Sequence, residues 1–172
     1  ASTPNFSHLF TGAAAPENAA LPVQKKYRIL LVDDEPNVLS ALMRVFRQEN
    51  YDVVTCNSPI LALEKITQEQ FQLIISDYMM PGMNGGDLLK KARELHPSMI
   101  RIMLTGHADV NAVVSAVKTG AVYKFILKPW NDDDLRVTVA LALEQQALLE
   151  KNRALQKDNQ HKAREVEQLS KI

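Results

Sequence analysis

Leu73-Ile74-Ile75-Ser76-Asp77-Tyr78-Met79-Met80-Pro81-Gly82 is the stretch on which the reading of this chain turns. Three apolar residues and a serine lead into one aspartate, and a Met-Met-Pro-Gly turn follows. A short apolar run bounded by turn residues predicts a buried strand. An aspartate at the C-terminal end of such a strand stands where open α/β sheets carry their ligand sites. Aspartates also serve turns, so the pattern on either side has to decide.

That pattern alternates. Residues 28–32 predict a buried strand ended by Asp33-Asp34-Glu35-Pro36, with Pro36 suited to the first turn of a helix. Leu39, Leu42, Met43 and Phe46 recur at helical spacing. Residues 51–56 predict a second strand, and Ser58-Pro59 opens a second helix as cap and first residue. After the strand at 73–76, Gly85-Gly86 precedes a helix with Leu88, Leu89, Ala92 and Leu95 inward, stopped by Pro97. A fourth strand at 100–104 leads to a helix marked by Val110, Val113, Val114 and Val117, which ends at Gly120. A fifth strand at 122–127 is followed by a helix starting near Asp132 to Asp134, whose charges favour a helix N-terminus. Five strands alternating with five helices predict an α/β fold, a doubly wound parallel sheet covered on both faces.

Right-handed crossovers gather the loops after the strands at one edge of such a sheet. Asp33 and Asp34 follow strand one, Asp77 ends strand three, Thr105 ends strand four and Lys128 ends strand five. Each has an ordinary use as a cap, a strand-end hydroxyl or a surface lysine. Their convergence is the informative fact. Three carboxylates in one cleft repel each other, and a divalent cation relieves that repulsion. Oxygen-only ligands suit Mg²⁺, which often bridges to phosphate oxygens. A lysine and a hydroxyl opposite complete a cradle for a phosphoryl group on Asp77.

The composition agrees with one domain plus an extension in 172 residues. Twenty basic residues balance twenty acidic ones, which argues against nucleic acid or an anionic membrane as the main partner. One cysteine, Cys56, rules out an internal disulfide and a cysteine-rich metal site. No apolar run is long enough to span a bilayer, and no signal peptide is evident at the N-terminus. A soluble protein of a reducing, cytoplasmic compartment is expected. Residues 1–26 are rich in Ala, Pro, Ser, Thr and Asn without periodicity, and are expected to form a flexible tail.

LLVDDEP, ISDYMMPGMNG, MLTGHAD and FILKPW occur in that order between residues 27 and 142. In this the chain resembles the response-regulator receiver domains of two-component signalling. The resemblance implies a flavodoxin-like fold in which Asp77 takes a phosphoryl group from a histidine kinase or phosphotransfer protein. It implies Asp34 as a direct Mg²⁺ ligand, Asp33 acting largely through water, and the Met79 carbonyl completing the metal site. Lys128 would contact the acyl phosphate, and Thr105 would turn its hydroxyl toward it. Phe125 matches the aromatic that turns inward on activation, without the hydroxyl that a tyrosine would show at the output surface. The resemblance also implies a cis Lys128-Pro129 bond, where the general preference of X-Pro bonds is trans. Met79 and His107 would flank the path of an attacking water, with His107 expected to be exposed. LTGHAD with KPW is similar to a subset that often precedes HD-GYP or other signalling output domains, and no HD or GYP motif follows here. A receiver of this kind catalyses only its own phosphotransfer and dephosphorylation.

The last helix continues past the point near Glu144 where a globular receiver needs it to stop, with no proline or glycine to the end. Leu141, Leu148, Leu155 and Leu169 lie on one seven-residue repeat, with Lys162 at the missing step. Taking these as d places Gln145, Asn152, Asn159 and Val166 at a. Leucine at d and asparagine at a predict a parallel homodimeric coiled coil over residues 143–172, against a solvated single helix as the alternative. Seven basic and eight acidic residues from Asp132 onward argue against a DNA-reading region. Two other readings stay open: a Mg²⁺-dependent phosphohydrolase working through an aspartyl phosphate, and a receiver-like scaffold that is not phosphorylated. The first wants a proton donor two residues after the nucleophile, where Met79 has no proton to give; the intact acidic, lysine and threonine set argues against the second.

Overall fold

The computed structural model describes residues 26–170, with side chains through 164. The tail expected over residues 1–26 lies, apart from Lys26, outside the described residues. Five strands form one sheet in the order β2-β1-β3-β4-β5, every pairing parallel. They are β1 (Tyr27–Val32), β2 (Tyr51–Cys56), β3 (Leu73–Asp77), β4 (Ile100–Thr105) and β5 (Lys124–Leu127). The helices are α1 (Pro36–Phe46), α2 (Pro59–Gln68), α3 (Gly85–Leu95), α4 (Val110–Lys118) and α5 (Asp132–Ser170). The doubly wound parallel sheet expected from the alternation is observed, with the flavodoxin-like strand order that the resemblance implies.

Side-chain alternation along the strands divides the core into two layers. Leu30, Val32, Ile74 and Met103 pack with residues of α2, α3 and α4 on one face. Ile29, Leu31, Leu73, Ile75, Ile102 and Leu104 pack with α1 and the first turns of α5 on the other. β3 lies between β1 and β4 and is buried along its whole length, so its apolar run needs no polar alternation.

The apolar stripes differ from the expected ones at two positions. Met43 is 45% exposed and Leu95 46% exposed. Val45 takes the place beside Phe46, because α1 presents Leu39, Leu42, Val45 and Phe46 to the sheet. Of the four valines in α4 only Val113 is fully enclosed, since this helix covers the edge of the sheet. β5 begins at Lys124, two residues later than expected, although the Tyr123 N–H still bonds the Arg101 carbonyl. A 3-10 turn over His107–Asp109, not foreseen, precedes α4. Pro36 and Pro59 occupy first-turn positions, and the Ser58 hydroxyl accepts from the Leu61 N–H. Gly120, at φ +80°, follows Thr119, the C-cap of α4.

α5 is a continuous helix of 39 residues, about 58 Å long at 1.5 Å per residue. Leu135, Val139, Ala142 and Leu143 hold its first turns on the sheet, and beyond them almost every described side chain is exposed. Val137, Leu141, Leu148 and Leu155 are 52–59% exposed. Among the described residues no helix is long and apolar enough to cross a membrane.

Candidate functional site

The strands deliver their C-terminal residues to one sheet edge. Val32 pairs with Ser76, Asp77 with Leu104, and Thr105 with Leu127, which sets Asp33, Asp77, Thr105 and Lys128 along that edge. Carboxylate oxygens of Asp33, Asp34 and Asp77 lie within 4.8 Å of one another. Lys128 Nζ reaches 2.9 Å from Asp77 Oδ1 and 3.5 Å from Asp33 Oδ2. Residues 33 and 128 are thus joined across 95 positions of sequence. The Lys128-Pro129 bond is cis, as the family pattern implied and against the general trans preference.

Asp33 is fully buried, and its Oδ1 accepts from the Glu35 N–H at 2.9 Å. Burial raises its pKa to about 6, with the Asp77 charge adding to the rise and the Glu35 N–H and Lys128 opposing it. Burial works against the Lys128 ammonium, yet its bond to Asp77 and the charges of Asp33 and Asp77 hold its pKa above the ordinary lysine value. The site therefore carries an excess of acceptor charge that one lysine does not cancel. The donor set is all oxygen, and its 4.8 Å spread is one that a hard cation with bound waters can bridge. These residues fit Mg²⁺.

Thr105 is buried at the end of β4, and its hydroxyl donates to the Gly106 carbonyl at 3.1 Å. It does not point its proton at Asp77 in this arrangement. Phe125 is half-buried on edge strand β5, against the α2–α4 layer. In the loop after β3, Met80 is anchored in the core while Met79 is 61% exposed, and His107 is exposed too. Trp130 packs on the other layer, and its Nε1 donates to Asp132 Oδ1 at 2.9 Å, tying the loop after Lys128 to the first turn of α5.

One residue at the site escaped sequence reading. The sequence pattern places Gly85 ahead of a helix, whereas it begins α3, with Asn84 as the cap. Its N–H donates to the Tyr78 carbonyl at 2.8 Å, and a Cβ there would lie 2.1 Å from the Asp77 carbonyl oxygen. Only a glycine lets the helix start so close behind the aspartate. The Gly85-Gly86 pair after the Met-Met-Pro-Gly turn was the available signal.

Residues 29–140 match the model of the response regulator receiver domain. The chain belongs to this family. The receiver domain is 36% identical over 124 residues to the hydrogenase transcriptional regulatory protein HoxA of Cupriavidus necator, covering 72% of this chain and 26% of that protein. It is 37% identical over 123 residues to the transcriptional regulatory protein GlrR of Escherichia coli K12, covering 72% and 28%. The chain thus spans about a quarter of the length of these regulators. Among solved structures it is similar to the signal receiver domain of an HD domain-containing protein from Pseudomonas fluorescens Pf-5, with 30% identity, a TM-score of 0.70, and 75% and 95% of the two chains covered. It is also similar to a structure described as adenylate cyclase from Rhodopirellula baltica, with 34% identity, a TM-score of 0.72, and 77% and 98% covered.

Proposed function

We propose that this receiver domain is a phosphorylation switch in which Asp77 takes a phosphoryl group from a histidine kinase or histidine phosphotransfer protein. The observation that carries the reading is the ion pair from Lys128 to Asp77, at 2.9 Å, inside a cluster of three carboxylates. An oxygen of the Asp77 carboxylate attacks the phosphorus of the donor phosphohistidine. The phosphorus–nitrogen bond breaks, and the imidazole leaves with the electron pair. Lys128 balances charge on the incoming phosphoryl oxygens. Asp34 and Asp77, with the Met79 carbonyl, would hold Mg²⁺ directly, and Asp33 largely through water; the cation supplies further charge neutralisation when bound. Thr105 would leave the Gly106 carbonyl to bond the phosphoryl group, and Phe125 would follow inward. Met79 offers no proton for a leaving group, which favours a receiver over a phosphohydrolase.

The working unit is a receiver over residues 27–142, followed by a helical linker that passes the signal to an output domain, in the cytoplasm. Among the described residues burial in α5 ends at Ala142 and Leu143, which supports a boundary there to within one residue. The linker pairs in parallel with a second copy through Leu141, Leu148 and Leu155, with Asn152 and Asn159 facing their own counterparts. Val166 and Leu169, the next seam positions, lie outside the described side chains.

Acetyl phosphate and Mg²⁺ should add one phosphoryl group, seen by intact mass. Asp77→Asn should abolish it, because an amide is not a competent nucleophile. Equal labelling of that variant refutes the assignment.

A further inference from the structure

A groove lies where α5 leaves the domain, on the sheet edge opposite the phosphoacceptor. It forms where the helix parts from the loop before β4, and it holds about 210 Å³. Its walls are largely apolar, with Pro97 and Met99 on the domain side, Tyr123 at one end and Leu149 on the helix. Leu149 is 50% exposed and Tyr123 49% exposed, and the Tyr123 hydroxyl donates to Gln145 Oε1 at 3.1 Å, tying the domain to the helix at that end of the groove.

Arg101 also lines the groove and is more than nine-tenths buried. Its Nε donates to the Ala121 carbonyl at 2.8 Å, and its Nη1 to the carbonyls of Met99 at 2.8 Å and Pro97 at 3.4 Å. Its Nη2 donates to the Gly120 carbonyl at 3.4 Å. A guanidinium has five N–H groups. Four are therefore used, all on neutral carbonyls, and the fifth, on Nη2, has no acceptor among the described residues. No carboxylate there pairs with Arg101. Burial first, and the like charge of Arg93 second, hold its pKa below the ordinary arginine value. Arg93 itself donates to the Thr119 carbonyl from the other side of the Gly120 turn. Glu150 lines the groove but forms no bond to Arg101, and Arg153 beside it adds a further exposed cation. Buried charges without an opposite charge are rare, because desolvation of the ion is not repaid.

We propose that this groove binds a small aliphatic monocarboxylate, its carboxylate on the free Nη2 N–H of Arg101 and its chain against Met99, Tyr123 and Leu149. The volume suits such a ligand. It corresponds to about seven waters at roughly 30 Å³ each, too small for a helix or a drug-sized molecule. One spare donor on a delocalised cation suits a carboxylate oxygen better than a phosphate, which wants several donors. Occupancy would wedge the Leu149 turn of α5 away from Met99 and so set the angle at which the helix leaves the domain.

The probe is hexanoate, titrated into the full chain at fixed ionic strength and followed by amide and Arg Nε chemical shifts. Saturable shifts are expected at Met99, Arg101, Tyr123 and Leu149, with hexan-1-ol binding at least about tenfold more weakly, since a charge-assisted bond is lost. Arg101→Met should abolish binding, but it also removes four structural bonds. Leu149→Glu, at a half-exposed position, keeps the fold and should also abolish hexanoate binding by placing a like charge in the groove. Equal binding of hexanoate and hexan-1-ol, unsaturable shifts to tens of millimolar, or unchanged binding in Leu149→Glu overturns the proposal. Tighter binding of an N-acetyl-glutamate amide than of hexanoate assigns the groove to an acidic peptide and overturns it too.

Discussion

Asp33 sets up a pH dependence of unusual sign. Its carboxyl is fully buried and its pKa is displaced from 3.8 to about 6, chiefly by that burial. Between those values the folded chain keeps a proton that the unfolded chain has released. Stability therefore falls as pH rises through this window. The contribution of the neutral acid is complete below about pH 3.8 and is lost once the pH passes about 6. At 1.36 kcal/mol per pH unit, the full loss is about 3 kcal/mol without a divalent cation. Asp33→Asn keeps the shape of the neutral acid and cannot ionise. In EDTA, the variant should match the wild type near pH 4 and exceed it by about 3 kcal/mol near pH 8. Lys128 loses one partner in the variant but keeps Asp77 at 2.9 Å, which limits the offset. Urea denaturation followed by the fluorescence of Trp130, the single tryptophan, gives both curves. Millimolar Mg²⁺ at pH 8 should narrow the gap, because a cation binds the ionised cluster of the wild type. A gap that stays constant from pH 4 to 8, or that grows in favour of the wild type, refutes the reasoning.

The other predictions concern the metal, the loop and the helix. Asp34→Asn should cost more Mg²⁺ affinity than Asp33→Asn, read as the Mg²⁺ dependence of melting, if only Asp34 is a direct ligand. Gly85→Ala should destabilise the domain by about 3 kcal/mol, at the upper end for overpacking, because its Cβ would meet the Asp77 carbonyl oxygen at 2.1 Å. Thermal melting checks this, and acetyl phosphate labelling should slow in the folded variant. The chain should sediment as a dimer, and truncation after Gln145 should weaken it. A monomer at high concentration, with and without phosphorylation, removes the coiled coil. Asn152→Leu with Asn159→Leu should tighten association and relax its register.

Much of the fold was legible because apolar strands alternate with helices at clear periods. The run from Leu73 to Ser76 had to be a buried strand, and its neighbours fixed the sheet edge to which Asp33, Thr105 and Lys128 come. Less legible was which side of a helix meets the sheet. Met43 and Leu95 sit at positions whose period fits the inward stripe, but each lies at its margin and stays half-exposed. Periodicity gives a face of finite width, not its edge. The hydrogen bonds of Thr105 and the close approach of Gly85 were not readable either. Both depend on sub-ångström placement of backbone carbonyls rather than on residue type. The enclosure of the Arg101 charge belongs to the same class, since residue type alone places an arginine at the surface.

The helix that is proposed to carry the signal uses two separate faces. Leu135, Val139, Ala142 and Leu143 dock on the sheet, while Val137, Leu141, Leu148 and Leu155 remain exposed. At 100° per residue the centres of these two sets lie about 170° apart around the helix. Pairing through the exposed stripe would not compete with docking, so both receivers keep their fold in a dimer. The stripe also starts inside the docked turns, at Val137, and runs on past Leu143 without changing face. A rigid helix of this kind cannot be signalled to by loosening one face against the other. Phosphorylation would reach it at its root. That root is joined to Lys128 by Pro129, Trp130 and Asn131, with Trp130 bonded to Asp132 and packed on the same layer as Leu135. A shift of Lys128 toward a phosphoryl group on Asp77 would therefore enter α5 through Trp130 and turn the whole stripe. Replacing Trp130 by alanine should leave labelling of Asp77 intact while uncoupling it from any change in dimerisation, and a phosphorylation-dependent dimer that survives this change would place the route elsewhere.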